Sequence, residues 1–409
     1  MKILACILAI HMLFWLALRP AVPSTDDLCY LKDAIKVSEG TYEFNSSPKT
    51  QRLGIILPTC LFVSAFGTSP YAVSLLPLIF SIATILFIYL HFKRDSSLAL
   101  AISILIAVNT VQITYSCALF PDVVLSLFMF VIVFSFSKRD ENRMFWGFFS
   151  AITLVVAFFV KQLVIVLIPL LSYWILRDLI KRRNTHFHKA FTLTFLIVGS
   201  AVIYTVYQTT GDALFLLKSV EENHNRVFAD MPLGDLINRL TWQPFVFLNG
   251  LVGFWPLILL AIPAVIHEIK NRSIGLHTKY LLYLVCIFWF CSTSLENYSP
   301  ILLLDRMWLP ILIPLCILSA KTIVWQTDAH PSWVNVLTSA TLILSAGLSF
   351  NRGNEGEGVF YLLIPLTLLL IRKSKTLTAL PESAKALTGL VPFILLACWF
   401  VISNSNWIS

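Results

Sequence analysis

Six charged side chains stand at the borders of apolar runs in this chain. Asp26 and Asp27 lie in "STDDLCYLKDA", a few residues after the first apolar segment ends. Arg52 lies in "KTQRLGIILP", Asp122 in "CALFPDVVLS", Lys161 in "AFFVKQLVIVLIP" and Arg306 in "DRMWLPILIP". A carboxylate at a water–membrane boundary can take a proton from a hydroxyl. Lys and Arg hold phosphates, Arg through a two-pronged fork. Charges next to apolar runs are costly and are usually kept for pairing or function.

The elements that must position these groups are membrane helices. Of 409 residues 57% are hydrophobic and 13% charged, about half the charge of a soluble domain. The mean hydropathy is +0.80. Apolar runs of roughly 20 residues recur, each long enough to cross a hydrocarbon core of about 30 Å. The expected fold is an all-α polytopic membrane bundle. Spans are predicted near 3–19, 70–91, 97–118, 121–137, 144–160, 162–177, 189–209, 246–266, 280–295, 306–324, 333–350, 359–372 and 387–403. The shorter apolar segment 53–66 reads as a re-entrant or interfacial helix. A β-barrel would need alternating strands of about ten residues, and none is present.

Threaded with a cytoplasmic N-terminus, 19 of the 30 basic residues fall on the cytoplasmic side, as the positive-inside rule requires. The net charge of +8 therefore reflects orientation and gives no reason to expect nucleic acid. The runs "RDLIKRR" and "RKSK" read as solvated inner loops. The outer regions are then 20–52, the turn Phe120–Pro121–Asp122, and 211–244. In the first of these, Leu28, Leu31, Ala34, Ile35 and Val37 suit an amphipathic helix. Its N-cap would be Ser24 or Thr25 and its stop Gly40. The chain divides on this reading into a module of residues 1–210 and a second of residues 211–409, with no soluble domain. Asp26, Asp27, Asp122, Lys161, Arg52 and Arg306 all fall at outer helix ends, and so to one shared polar site.

Each has a plainer reading. Asp26 and Asp27 can cap a helix, and Asp122 can be a turn residue after Pro121. Lys161 can anchor a helix boundary by snorkelling, where truncation would leave no large cavity. Arg52 and Arg306 can pair with acids for stability alone. His186 and His188 read as inner-loop residues. The eight cysteines are scattered, with neither CxxC nor Cys/His spacing, so neither zinc site nor disulfide framework is indicated. Asp26, Asp27 and Asp122 have the chemistry for a divalent ion, but no spacing rule singles them out. No cofactor is expected.

The order of these features narrows the function. "DD-x-x-Y" (Asp26, Asp27, Tyr30) is followed by "R-x-G-x-x-L-P" (Arg52, Gly54, Pro58), then "FPD", "FVKQLVIVLIP" and "DRMWLPILIP". This resembles the GT-C glycosyltransferases of family 39, which include protein O-mannosyltransferases and the bacterial lipid A aminoarabinose transferase. The likeness runs over roughly residues 1–180, with a fainter echo at 300–320. Leu53 stands where the family's second motif commonly has proline. The resemblance implies a polyprenyl-phosphate-linked sugar as donor and inversion at the anomeric carbon. The acceptor would be a glycan, lipid or protein hydroxyl, and the setting a bacterial inner membrane with the site on its periplasmic face. It makes Asp26 the base, with Asp27 or Asp122 orienting the acceptor, and Lys161, Arg52 and Arg306 the phosphate clamp. Two other classes stay open. A lipid or solute transporter would favour Gly/Pro-broken helices and duplicated halves, and the sequence has neither. A lipid-linked polysaccharide ligase or polymerase would concentrate Arg and His in a late outer loop, where 223–239 holds only His224, Arg226 and Arg239.

Overall fold

In the computed structural model, described residues are 2–18, 25–216, 218–219, 234–241, 254–292, 304–327 and four positions between 390 and 398. Among them the regular elements are helices joined by turns and short loops. The order is α1 Lys2–Leu18, α2 Asp26–Ser38, α3 Leu53–Phe66, α4 Pro70–Phe92, α5 Ser96–Ala107, α6 Thr110–Ser116 and α7 Pro121–Ser137. Then come α8 Arg143–Val160, a 3-10 turn Gln162–Leu167 leading into α9 Ile168–Ile180, and α10 Thr185–Thr210. The last are α11 Gly234–Thr241, α12 Trp255–Lys270, α13 Leu276–Phe290, and a 3-10 turn Asp305–Trp308 leading into α14 Leu309–Thr327. The chain is a multi-pass membrane protein. Five helical stretches among the described residues are long and apolar enough to cross a membrane, and six if a bent pair is one span. The spans expected at 333–350 and 359–372 lie outside the described residues, as does all of 387–403 but four positions.

Three helices, α5, α7 and α14, form the centre of the core. α7 is buried along nearly its whole length, and α14 packs beside it against α5 and α12. Ser126 of α7 donates to Leu309 O at 2.9 Å, and Ser319 of α14 donates to Leu257 O at 2.8 Å. α10 lies at the periphery, with Leu193, Leu196, Ile197 and Ile203 exposed. In a membrane chain such a face meets lipid.

The segment expected as one span at 97–118 is broken. α5 and α6 meet at an angle of 57°. The break contains neither Gly nor Pro, the breakers the sequence pattern looks for. Instead Asn109 starts a new helix, its Oδ1 accepting Gln112 N–H at 3.0 Å. Breaking a helix frees carbonyls that must find donors in the bundle. His11, fully buried on α1, supplies one: its Nδ1 lies 2.8 Å from Ala107 O. A carbonyl only accepts, so Nδ1 carries the proton and Nε2 is the acceptor. Nε2 then takes the Ser81 hydroxyl at 2.8 Å, and Ser81 Oγ takes Gln112 Nε2–H at 2.8 Å. One neutral histidine and two polar partners thus hold α1, α4 and the broken helix together.

The same contacts fix which helix ends lie together. Trp15, near the end of α1, donates to Ser116 O at 3.1 Å and packs edge-on against Tyr71 at the start of α4. The α2–α3 loop, the start of α7 and the start of the α14 segment lie at this end. The α7–α8, α9–α10 and α12–α13 turns lie at the other.

Candidate active site

Asp26 and Asp27 are neighbours in sequence with different fates. Thr25 is the N-cap of α2, and both acids lie in the first turn, where the helix dipole favours carboxylates. Asp27 is buried. Its Oδ1 accepts Thr25 N–H at 2.9 Å, the Thr25 hydroxyl at 3.2 Å and Leu28 N–H at 3.0 Å. It secures the start of its own helix. Asp26 reaches away instead. Its Oδ1 lies 2.6 Å from Lys49 Nζ, and its Oδ2 3.3 Å from Arg306 Nη2. Burial alone raises the Asp26 carboxyl. The hydrogen bond and charge of Lys49 and the fields of Arg306 and Arg52 outweigh that, and hold it below the ordinary carboxylate value.

Arg52 caps the start of α3 and returns to α2. Its guanidinium donates to the Tyr30 hydroxyl and lies 5.4 Å from that ring's centroid. Tyr30 is four residues after Asp26, on the same helix face, and is fully buried. Burial presses the Arg52 group below its ordinary range, while Asp122 and then Asp26 act to raise it. Its buried Nε has no hydrogen-bond partner among the described residues. Gly54 is what brings Arg52 here. A Cβ at Gly54 would sit 2.7 Å from Val160 Cγ2 and 2.9 Å from Val160 N, so α3 packs backbone-close against the end of α8. Val160 is the residue before Lys161, and the glycine of "R-x-G" therefore sets Arg52 beside Lys161.

Lys161 takes an extended conformation between α8 and the 3-10 turn, with φ −164° and ψ 126°. Its Nζ lies 2.6 Å from Asp122 Oδ1 and 2.9 Å from Met307 Sδ. Asp122 follows Pro121 in the first turn of α7 and is buried. Arg306, in the turn before α14, lies 4.5 Å from the Phe120 ring centroid as well as against Asp26. The chain thus brings Asp26, Arg52, Asp122, Lys161 and Arg306 to one end of the bundle from five separate stretches. Asp27 is adjacent but tied to α2.

Some residues here carried no sequence signal. Lys49 is one lysine in a polar loop, and nothing marks it as the partner of Asp26. Gln51 is fully buried and exchanges hydrogen bonds with Ser219 at 2.6 and 2.9 Å. That pair joins the first loop to a segment 168 residues later. Lys161 corrects the expectation of a snorkelling anchor. It is buried and paired with a buried acid, so truncation would strand Asp122. Among the described residues no group of three or more His, Cys, Asp or Glu is arranged to hold a metal ion. Of the two histidines read as inner-loop residues, His186 is exposed, while His188 is buried against Asp178.

An apolar groove of about 470 Å³ opens between α8, α9 and α10. Phe158, Phe159, Val164 and Ile165 line it and flank Lys161 in sequence. A buried cluster of acids and cations, with Lys161 adjoining in sequence the residues of an apolar groove, suits a ligand with an anionic head and an apolar tail.

Residues 58–205 match the family described as dolichyl-phosphate-mannose-protein mannosyltransferase. Two crystal structures of ArnT from Cupriavidus metallidurans superpose on nearly the whole chain. The one bound to undecaprenyl phosphate gives a TM-score of 0.63 at 14% identity, covering 97% of this chain and 77% of that one. The apo form gives 0.62 at 13% identity, covering 98% and 76%. The fold is that of the GT-C glycosyltransferases. No curated protein matches the sequence. The family match begins at Pro58, after the loop that carries Asp26 and Arg52. The placement of those two residues rests on the GT-C-like packing described above.

Proposed function

We propose that this chain is a membrane glycosyltransferase that moves a sugar from a polyprenyl-phosphate donor to an acceptor hydroxyl. The site faces the periplasmic side of a bacterial inner membrane, with the N-terminus cytoplasmic. The observation that carries this reading is the convergence of Asp26 with Arg52, Lys161 and Arg306 at one end of the bundle, Lys161 being flanked in sequence by residues that line the apolar groove. The donor's polyprenyl tail lies along the groove, and its phosphate meets the cations. The ArnT structure that matches this fold was solved with undecaprenyl phosphate.

Asp26 acts as the base. It takes the acceptor hydroxyl's proton as that oxygen bonds to the anomeric carbon. The bond from that carbon to the phosphate oxygen breaks, and the polyprenyl phosphate leaves with the electron pair. Arg52, Lys161 and Arg306 hold the charge that builds on it. A single displacement of this kind inverts the anomeric centre. Asp122 keeps Lys161 charged and placed, and Asp27 holds the helix start on which Asp26 stands. Lys49 and Arg306 each hold one oxygen of Asp26. Donor phosphate competes for Arg306 and frees one oxygen for the acceptor, which arrives from water.

The test is direct. Protein in nanodiscs is given a radiolabelled polyprenyl-phosphate sugar, and mass spectrometry compares surface glycans and glycolipids of cells with and without the gene. A glycan lost with the gene, and label leaving the lipid donor, are the expected results. An unchanged surface and no donor turnover or binding would overturn the reading. Reporter fusions at Glu43 and Asn184 test the orientation; an external signal at Asn184 would reverse it.

A further inference from the structure

The end of the bundle opposite the candidate active site contains a second polar cavity, of about 190 Å³. It is lined by Arg139, Asp140, Arg177, Asp178, Lys181, Arg183 and Asn184, with no apolar side chain. The volume suits an ion or a headgroup and is below the usual size of drug-like ligand pockets. From Lys161 to Asp178 the chain runs through one continuous helical segment, roughly 25–30 Å at 1.5–2.0 Å per residue.

Asp178 forms the floor and is buried. It accepts Arg139 Nε at 2.6 Å, Asn184 Nδ2 at 3.1 Å and His188 Nε2 at 3.2 Å, with Arg177 Nη2 at 3.5 Å. The floor acid is thus neutralised from below and within. Lys181 and Arg183 pair with no acid among the described residues. Asp140, at the exposed rim, is the one other acid in the lining.

The backbone is arranged to make this cavity. The α9–α10 turn puts two non-glycine residues, Arg182 (φ 51°) and Asn184 (φ 56°), in the left-handed region. Such conformations persist where the surroundings hold them, and they cluster at ligand sites. Here Arg183 N–H bonds Asp178 O at 2.8 Å and Arg182 N–H bonds Leu179 O at 3.0 Å, folding the turn back over the floor.

We propose that this cavity binds a phosphate group, supplied by the headgroup of an acidic phospholipid in the leaflet opposite the candidate active site. Guanidinium groups from one helix and two turns, Arg177, Arg139 and Arg183, converge on it at the end of the bundle where the opposite leaflet's anionic headgroups would lie. The inference does not depend on the transferase reading.

The test uses full-length protein in neutral phosphatidylcholine nanodiscs, titrated with short-chain phosphatidylglycerol and read by native mass spectrometry. The variant Lys181→Gln/Arg183→Gln alters exposed side chains outside the buried network. Lys32→Gln/Lys36→Gln removes the same charge elsewhere. The expected result is a loss of phosphatidylglycerol affinity of about 20- to 30-fold in the first variant and none in the second. Failure of inorganic phosphate to displace the lipid identifies the lipid as the source. Equal displacement by phosphate keeps the ligand class and makes a soluble phosphate ester the source. Equal phosphatidylglycerol affinity in wild type and the first variant overturns the proposal.

Discussion

The candidate active site and the Glu268 cluster both bury an acid against a lysine, and they differ in where the partners come from. Glu268, on α12, accepts Gly275 N–H at 2.8 Å, the Thr278 hydroxyl at 2.7 Å and Lys321 Nζ at 2.7 Å. Two of these partners lie within ten residues, at the α12–α13 turn. The cluster staples that turn to α14. At the candidate site the pairs span 39 residues, Asp122 to Lys161, and 280 residues, Asp26 to Arg306. Arg52 keeps a buried Nε unpartnered among the described residues. A staple saturates its acid with nearby groups. The other cluster assembles cations from distant elements and leaves donor capacity over, as an anion site does.

The contrast can be broken first at Lys161. Replacing it with alanine strands buried Asp122 and should cost about 3–5 kcal/mol of stability. Adding Asp122→Asn should restore much of it. Thermal unfolding in one detergent checks both, and a Lys161→Ala protein as stable as wild type would remove the buried pair from the account.

Asp26→Asn comes next. Asn keeps the size of Asp and can still accept from Lys49 and Arg306, and the ion pairs it weakens are partly exposed, so fold and donor binding should survive. A base role predicts a transfer rate lower by about 10²-fold or more. Near-normal transfer would reduce Asp26 to a structural acid.

Glu268→Gln sharpens the comparison from the other side. It should lower stability by about 1–3 kcal/mol through the lost charged hydrogen bonds and leave transfer per folded molecule unchanged. A selective loss of transfer would mean that the two ends communicate.

The smallest effect concerns pH. Asp26 is held below its ordinary value chiefly because Lys49 outweighs the raising effect of burial. A base with a lowered value stays ionised further into acid, so the acid limb of kcat/KM lies below the ordinary carboxylate value. Lys49→Ala should move that limb upward. The same depression means the ion pair stabilises the fold above the unfolded-state value and is lost as pH falls through the folded one. A limb that does not move would assign Lys49 no hold on Asp26.

Much of this architecture is visible in the sequence, because a membrane imposes one-dimensional rules. Long apolar runs must become helices, since hydrocarbon satisfies no backbone group. The amphipathic α2, with Thr25 at its start and Gly40 (φ 68°) past its end, follows from local periodicity and capping. The break between α5 and α6 was illegible. Its signal was Asn109, and a capping asparagine inside an apolar run means little until His11 is seen to take the freed carbonyl.

The sequence by itself determined the helices and the six charged residues at their ends, because burying charge and leaving peptide groups unpaired in lipid are both expensive at any place in the fold. The tertiary structure decided which of those charges meet. Asp26 and Asp27 are chemically identical neighbours, yet one holds Thr25 and the other reaches Lys49 and Arg306. That choice depends on where α3 and α14 pack, and so on contacts such as Gly54 against Val160. Pairing across 280 residues is a matter of geometry, which no local pattern encodes.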